Sequence, residues 1–203
     1  MKLNSSIKVW LRRLLGAGLV SLAVVGSYAG YLIYRGNLHP IFPGQAYRSA
    51  QMSAQMLAET IKLHGIKSVI NLRGANADSE WYRAELKMCE ILNVEHVDRR
   101  FSARRDATDE QMTDLVNLLR KTPKPVLLHC KAGSDRTGLA AALYQLEIAG
   151  RPEAEAAGEL TIWYGHIPYL PTREQAMDRS FHRYVSNRAA SAQLTLQTNL
   201  AAR

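Results

Sequence analysis

The sequence predicts an α/β domain, a central mostly parallel sheet flanked by helices, with one transmembrane helix ahead of it. Two apolar runs of strand length, residues 66–72 and 125–129, alternate with stretches of helical periodicity, the pattern of parallel strands joined by helical crossovers. Ahead of them lie 21 consecutive uncharged residues, 14–34, bounded by Arg13 and Arg35. The 203-residue chain is 47% hydrophobic and 22% charged. That is enough apolar material for one packed core, and it excludes the disordered and low-complexity classes.

At about 1.5 Å per helical residue, the uncharged run reaches across a hydrocarbon core of about 30 Å. Lys2, Lys8, Arg12 and Arg13 precede it and Arg35 alone follows closely. This asymmetry makes residues 1–13 a basic cytoplasmic N-terminus and places the remainder outside, in the periplasm if the source is a bacterium. Ser27-Tyr28-Ala29 resembles a signal-peptide cleavage site, so a removed leader is the alternative. The apolar run continues through Tyr31, Leu32 and Ile33, which favours an uncleaved anchor. The four basic residues of this end supply half of the net charge of +8. What is left is an ordinary balance for a domain, so nucleic-acid binding is not expected. The two cysteines, Cys89 and Cys130, are too few for a disulfide framework and lack the spacing of a zinc site.

The remaining elements follow in order. A loop with Pro40, Pro43 and Gly44 leads to an extended stretch at 45–51, and Ser53 caps a helix ending before Gly65. Residues 66–72 form the first buried strand. Asp78 or Ser79 caps a helix with Trp81, Ala84, Met88 and Leu92 inward, and a short strand follows at 94–97. Residues 108–111 (Thr-Asp-Glu-Gln) form a capping box for a helix that buries Met112, Leu115, Leu118 and Leu119 and stops before Pro123. After the second buried strand, at 125–129, a short polar turn enters an apolar helix over 139–148, ended by Gly150. Pro152 opens a further helix to about Tyr164, and a last one runs from about Thr172 to near Val185. The folded domain then covers 35–188, and 189–203 are a flexible tail.

The turn after the second buried strand carries the chemistry. It reads His129-Cys130-Lys131-Ala132-Gly133-Ser134-Asp135-Arg136-Thr137-Gly138. Five residues between Cys130 and Arg136 let the backbone N–H groups curl around a tetrahedral oxyanion, and Arg136 closes the cradle with a bidentate guanidinium. The same N–H groups and the helix dipole stabilise a thiolate, which makes Cys130 a nucleophile at neutral pH. Gly133 supplies a backbone shape that a Cβ would resist. Phosphate is the ligand this geometry suits.

This HCxxGxxR loop resembles that of the cysteine-dependent protein tyrosine phosphatase superfamily, in its compact dual-specificity-like branch. The likeness extends to Tyr47-Arg48-Ser49-Ala50-Gln51 and to Ile70-Asn71-Leu72-Arg73, which resemble two strands of that branch. The resemblance implies a two-step phosphatase mechanism with Cys130 as nucleophile and a phosphocysteine intermediate, and it implies neither metal nor cofactor. Arg136 would bind the phosphate together with Lys131, Ala132, Gly133 and Ser134 of the loop. Thr137 would contact the sulfur, and His129 would orient the loop. The implied substrates are phosphotyrosyl or dual-specificity phosphoproteins, with phosphoinositides or phospholipid headgroups as the alternative and an inactive phosphate-binding module as the third possibility.

The general acid departs from the branch pattern, because Arg104 stands where related sequences carry an aspartate. Asp135, Asp106 and Asp98 are the candidates, and the form CxxGxDR, which resembles lipid-directed relatives, favours Asp135. A salt bridge that stabilises the loop is the structural alternative for Asp135. Lys131 and the arginines 99, 100, 104 and 105 either meet an anionic substrate or form an exposed charged surface.

Overall fold

The computed structural model describes residues 5–167 and 175–201. The chain divides into two compact units, Met1–Arg35 and Gly36–Arg203. In the first, α1 (Ser5–Tyr34) is a single helix, and its segment Val9–Tyr34 is long and apolar enough to cross a membrane. Large apolar side chains such as Leu15, Val20, Leu22 and Val25 are exposed around it, as in a helix meant for an apolar solvent.

The second unit is a five-stranded sheet between two layers of helices. Its strands are β1 (His39–Phe42), β2 (Ala46–Ser49), β3 (Ser68–Asn71), β4 (Glu95–Asp98) and β5 (Val126–His129), in the order β1-β2-β5-β3-β4. All pairs are parallel except β1 with β2. The helices are α2 (Ala54–His64), α3 (Glu80–Ile91), α4 (Asp109–Lys121), α5 (Asp135–Glu147), α6 (Glu153–Ala157) and α7 (Ala176–Ala201).

The two-residue period of the strands feeds two cores. Ala46, Ile70, Val126 and Leu128 pack with Met112, Leu115 and Leu119 of α4 and with the apolar run of α5. Tyr47, Val69 and Leu127 point the other way, toward Leu57 and Ile61 of α2 and Cys89 of α3. Ser53 accepts from the Met56 N–H at the start of α2, and Gly65 ends that helix in the left-handed conformation. Thr108 and Gln111 form the expected capping box of α4.

Five details differ from the sequence expectation. The loop through Pro40 is strand β1, possible because proline is tolerated at a sheet edge. The inner face of α3 is Tyr82, Glu85 and Cys89, one position on from the expected Trp81, Ala84 and Met88. The cause is polar: Glu85 is drawn inward by two histidines and a glutamine, while Trp81 lies beneath the Arg73 guanidinium, 3.7 Å from its ring centroid. Helix α5 starts at Asp135 rather than Leu139, so Arg136 and Thr137 lie in its first turn. The helix after Pro152 stops at Gly158, and a 3-10 turn at Ile162–Tyr164 takes over. Helix α7 continues to Ala201 through the segment expected as a tail, and the start expected at Thr172 lies outside the described residues.

Candidate active site

The parallel strands end level with one another. Ser49 pairs with His129, His129 with Asn71, and Asn71 with Asp98, so four polar residues form a row at the C-terminal edge of the sheet. In α/β sheets this edge is where loops are free to bind ligands.

Past His129 the chain turns through residues 130–134 into α5, and each carbonyl from Lys131 to Ser134 is held from outside. Lys131 O accepts from the Gln51 N–H at 3.2 Å and Ala132 O from Asn37 Nδ2 at 3.0 Å. Gly133 O and Ser134 O accept from Arg48 Nη2 at 2.8 and 3.4 Å. In a trans peptide the N–H points away from the carbonyl, so the N–H groups that follow these carbonyls face into the turn. Gly133 makes this possible with φ of +76°, and a Cβ there would lie 2.7 Å from the Ala50 nitrogen.

Arg48 is the clamp. It is completely buried, its Nη1 lies 2.6 Å from Glu159 Oε2 and 2.7 Å from Glu159 O, and its guanidinium sits 3.8 Å over the Tyr164 ring. Burial pushes its pKa down and the Glu159 charge opposes that shift. A second buried acid braces His129. Glu85 Oε1 accepts from His129 Nε2 at 3.1 Å and His96 Nε2 at 2.8 Å, and Oε2 accepts from Gln51 Nε2 at 2.6 Å. Burial pushes the Glu85 carboxyl up, but the bonds from His129, His96 and Gln51 outweigh it and hold the pKa at about 2.

Cys130 is buried at the start of this turn, and Arg136 and Thr137 lie in the first turn of α5. Eight buried side-chain polar atoms have no partner among the described residues, and five belong to the loop or its supports: Arg48, Ser49, His129, Arg136 and Thr137. Folded proteins leave few such atoms, and these five cluster around one turn. Ser134 is buried in the turn, whereas Lys131 and Ala132 are exposed at its rim.

The three candidate acids stand in different surroundings. Asp98 accepts from Asn71 Nδ2 at 2.8 Å on one oxygen and from the Tyr82 hydroxyl on the other, a contact that raises the Tyr82 pKa to about 12. Asp106 is gripped by Arg179, at 2.7 Å on Oδ1 and 3.3 Å on Oδ2. Among the described residues, Asp135 engages only Oδ1, 2.7 Å from Nδ1 of the buried His166, whose Nε2 lies 2.8 Å from Asp178. Burial alone would lower the His166 pKa, but the two carboxylates raise it to about 9.

A cavity of about 770 Å³ is lined by Arg136 together with Arg73, Arg100, Arg104 and Arg105, with Asp106 as the one acid in its lining. Burial and the Arg136 charge lower the Arg73 pKa, and Cys130 opposes that shift. Cys89 sits in the other core with its thiol pushed up to about 12 by burial, and both cysteines are free.

Sequence reasoning quoted Arg48 and Arg73 only as parts of extended stretches and passed over Asn37, Glu85 and Asp178. A signal existed for two of them: a charged residue in a strand buried on both faces, and an acid within the apolar face of a helix, require partners inside the protein.

A strand, an inward-facing turn with a cysteine, and a helix that opens on arginine define the phosphate-binding loop of cysteine-dependent phosphatases. The chain belongs to the tyrosine phosphatase family, whose family model matches residues 27–161. It is 30% identical over 127 residues to the dual specificity protein phosphatase TpbA of Pseudomonas aeruginosa, covering 61% of this chain and 53% of that protein. The chain thus spans about half the length of the curated relatives it matches. Among solved structures it is similar to P. aeruginosa TpbA, with a TM-score of 0.57 and 24% identity over 77% of this chain and 91% of the other. It is also similar to PTPMT1, with a TM-score of 0.56 and 19% identity over 76% and 99%. These two likenesses establish the shared fold.

Proposed function

We propose that the protein hydrolyses phosphomonoesters through a phosphocysteine intermediate, as a tyrosine or dual-specificity phosphatase held at a bacterial inner membrane with its catalytic domain in the periplasm. One observation carries the catalytic part: four successive loop carbonyls are tied outward, leaving a ring of amides for the phosphate between Cys130 and Arg136. The thiolate attacks phosphorus, the bond to the leaving oxygen breaks, and that oxygen takes a proton from an acid. Water then attacks phosphorus, the S–P bond breaks, the acid recovers its proton from that water, and inorganic phosphate leaves.

Asp135 fits the acid role because, among the described residues, it alone of the three candidates keeps a carboxylate oxygen unengaged. His166 would hold its other oxygen in place. Phosphotyrosine as substrate is supported by the dual specificity relative TpbA and by its solved complex with phosphotyrosine. The single apolar helix and the basic residues before it support the membrane placement.

The test is phosphate release from a phosphotyrosyl peptide and from a small aryl phosphate by the full chain in detergent. Wild type is expected to turn over both, and Cys130→Ser to lose at least about a thousandfold in kcat. Equal release by wild type and Cys130→Ser, or none by either, would overturn the proposal.

A further inference from the structure

Helix α7 reaches the candidate acid from outside the matched family segment. The family model ends at residue 161, yet the ring that Asp135 engages, His166, and the acid behind that ring, Asp178, both lie beyond it. His166 is completely buried and its backbone is pinned: its N–H donates to Thr161 O at 3.1 Å, and Gly165 before it closes the 3-10 turn in the left-handed conformation. Around Asp178, the α7 residues Ala176, Met177 and Phe181 are buried in the core shared with α4 and α5. Rigid elements therefore carry both groups.

The two contacts fix the charge of the ring. A carboxylate only accepts, and a neutral imidazole has one N–H, so a neutral ring can donate to Asp135 or to Asp178 but not to both. The contacts at 2.7 Å on Nδ1 and 2.8 Å on Nε2 are satisfied together by the imidazolium. A lone imidazolium beside Asp135 would favour the ionised carboxylate and oppose proton delivery. With the Asp178 charge behind it, the ring presents an oriented donor while the pair carries no net charge. Resting on the reading of Asp135 as the general acid, we propose that Asp178 is a positioning residue for the reaction. It acts through His166, keeping Nδ1–H on Asp135 Oδ1 and leaving Oδ2 to carry the transferred proton. Without the Asp178 charge the ring can lose a proton, and the tautomer with a bare Nδ1 repels the carboxylate or takes the proton of the acid.

The experiment measures kcat of the full chain in detergent on an alkyl phosphate and on an aryl phosphate whose acidic leaving group departs without a proton. Asp178→Asn keeps the shape of the side chain and removes its charge. It is expected to lower kcat on the alkyl phosphate about tenfold more than on the aryl one, and the retained aryl turnover shows that the variant is folded. In His166→Gln/Asp178→Asn the gap should be no wider than in His166→Gln, because Asp178 acts through the ring. Ser180→Ala removes a different buried contact of α7, the bond from the Ala107 N–H at 2.9 Å, and should open no gap. Equal losses on both substrates in Asp178→Asn, an equal gap in Ser180→Ala, or additive gaps in the double variant would reduce Asp178 to a structural contact and sink the proposal. If Asp135→Asn opens no gap while turnover still depends on Cys130, the acid reading itself fails and the positioning role falls with it, with the phosphatase reading left standing.

Discussion

The loop at residues 130–134 and the segment at 99–106 are built on opposite principles. The first is short and held from four sides by buried groups: Asn37, Arg48, Gln51 and, through His129, Glu85. The second is anchored at its ends, by the Arg99 and Phe101 N–H groups on β3 carbonyls and neighbours and by Ala107 on Ser180, with its cationic side chains left to solvent. Under the proposed function, chemistry at phosphorus tolerates little misplacement, so the amides that would meet the transition state need to be fixed before substrate arrives.

The largest expected effect comes from breaking the clamp under the first loop. Arg48→Met keeps the apolar stem and removes the guanidinium, which leaves Glu159 buried without its cationic partner and frees the carbonyl of Gly133. Breaking one side of a buried pair costs about 3–5 kcal/mol. Chemical denaturation should therefore show a stability loss of that order, and activity should fall with it, since the amide ring loses its support. A loss below about 1 kcal/mol would mean the loop holds its shape without Arg48.

This clamp also shows what was legible in the chain. The alternation of apolar runs and capped helices gave the layers, because burial on both faces of a strand and the capping of a helix are local demands written in adjacent residues. Cys130, Gly133 and Arg136 were legible for the same reason, being close in sequence and bound to one backbone shape. Arg48, Asn37 and Glu85 act on the loop across separations of 85, 95 and 44 residues. No periodicity records such contacts. The edge strand β1 was hidden behind its prolines, and the inner face of α3 was displaced because a buried ionic group, rather than hydrophobic content, sets its rotation.

A smaller effect separates the candidate acids. If His166 holds Asp135 for proton transfer, His166→Gln should lower kcat for an alkyl phosphate about tenfold more than for an aryl phosphate with an acidic leaving group. Asp135→Asn should show the same pattern more strongly, and Asp106→Asn should not show it. The reverse order would give the role to Asp106. A readout of stability accompanies the kinetics. The folded His166 pKa of about 9 lies above its ordinary 6.5, so the imidazolium stabilises the fold fully below about 6.5 and progressively less as pH rises through about 9. The difference in melting temperature between wild type and His166→Gln should thus be present at pH 6 and shrink toward zero above pH 9.

The smallest effect on stability belongs to the second segment, and its sign is informative. Arg104 and Arg105 are exposed and, among the described residues, have no acid near their guanidiniums, so removing them forfeits no ion pair and relieves repulsion from Arg100, Arg136 and each other. Arg104→Ala/Arg105→Ala should shift stability by no more than about 0.5 kcal/mol, toward a higher melting temperature at low salt and toward no change at high salt. If thermal denaturation instead shows the double variant to be markedly less stable, the arginines are structural, and the contrast between a braced turn and a charged segment left to solvent fails at its second term.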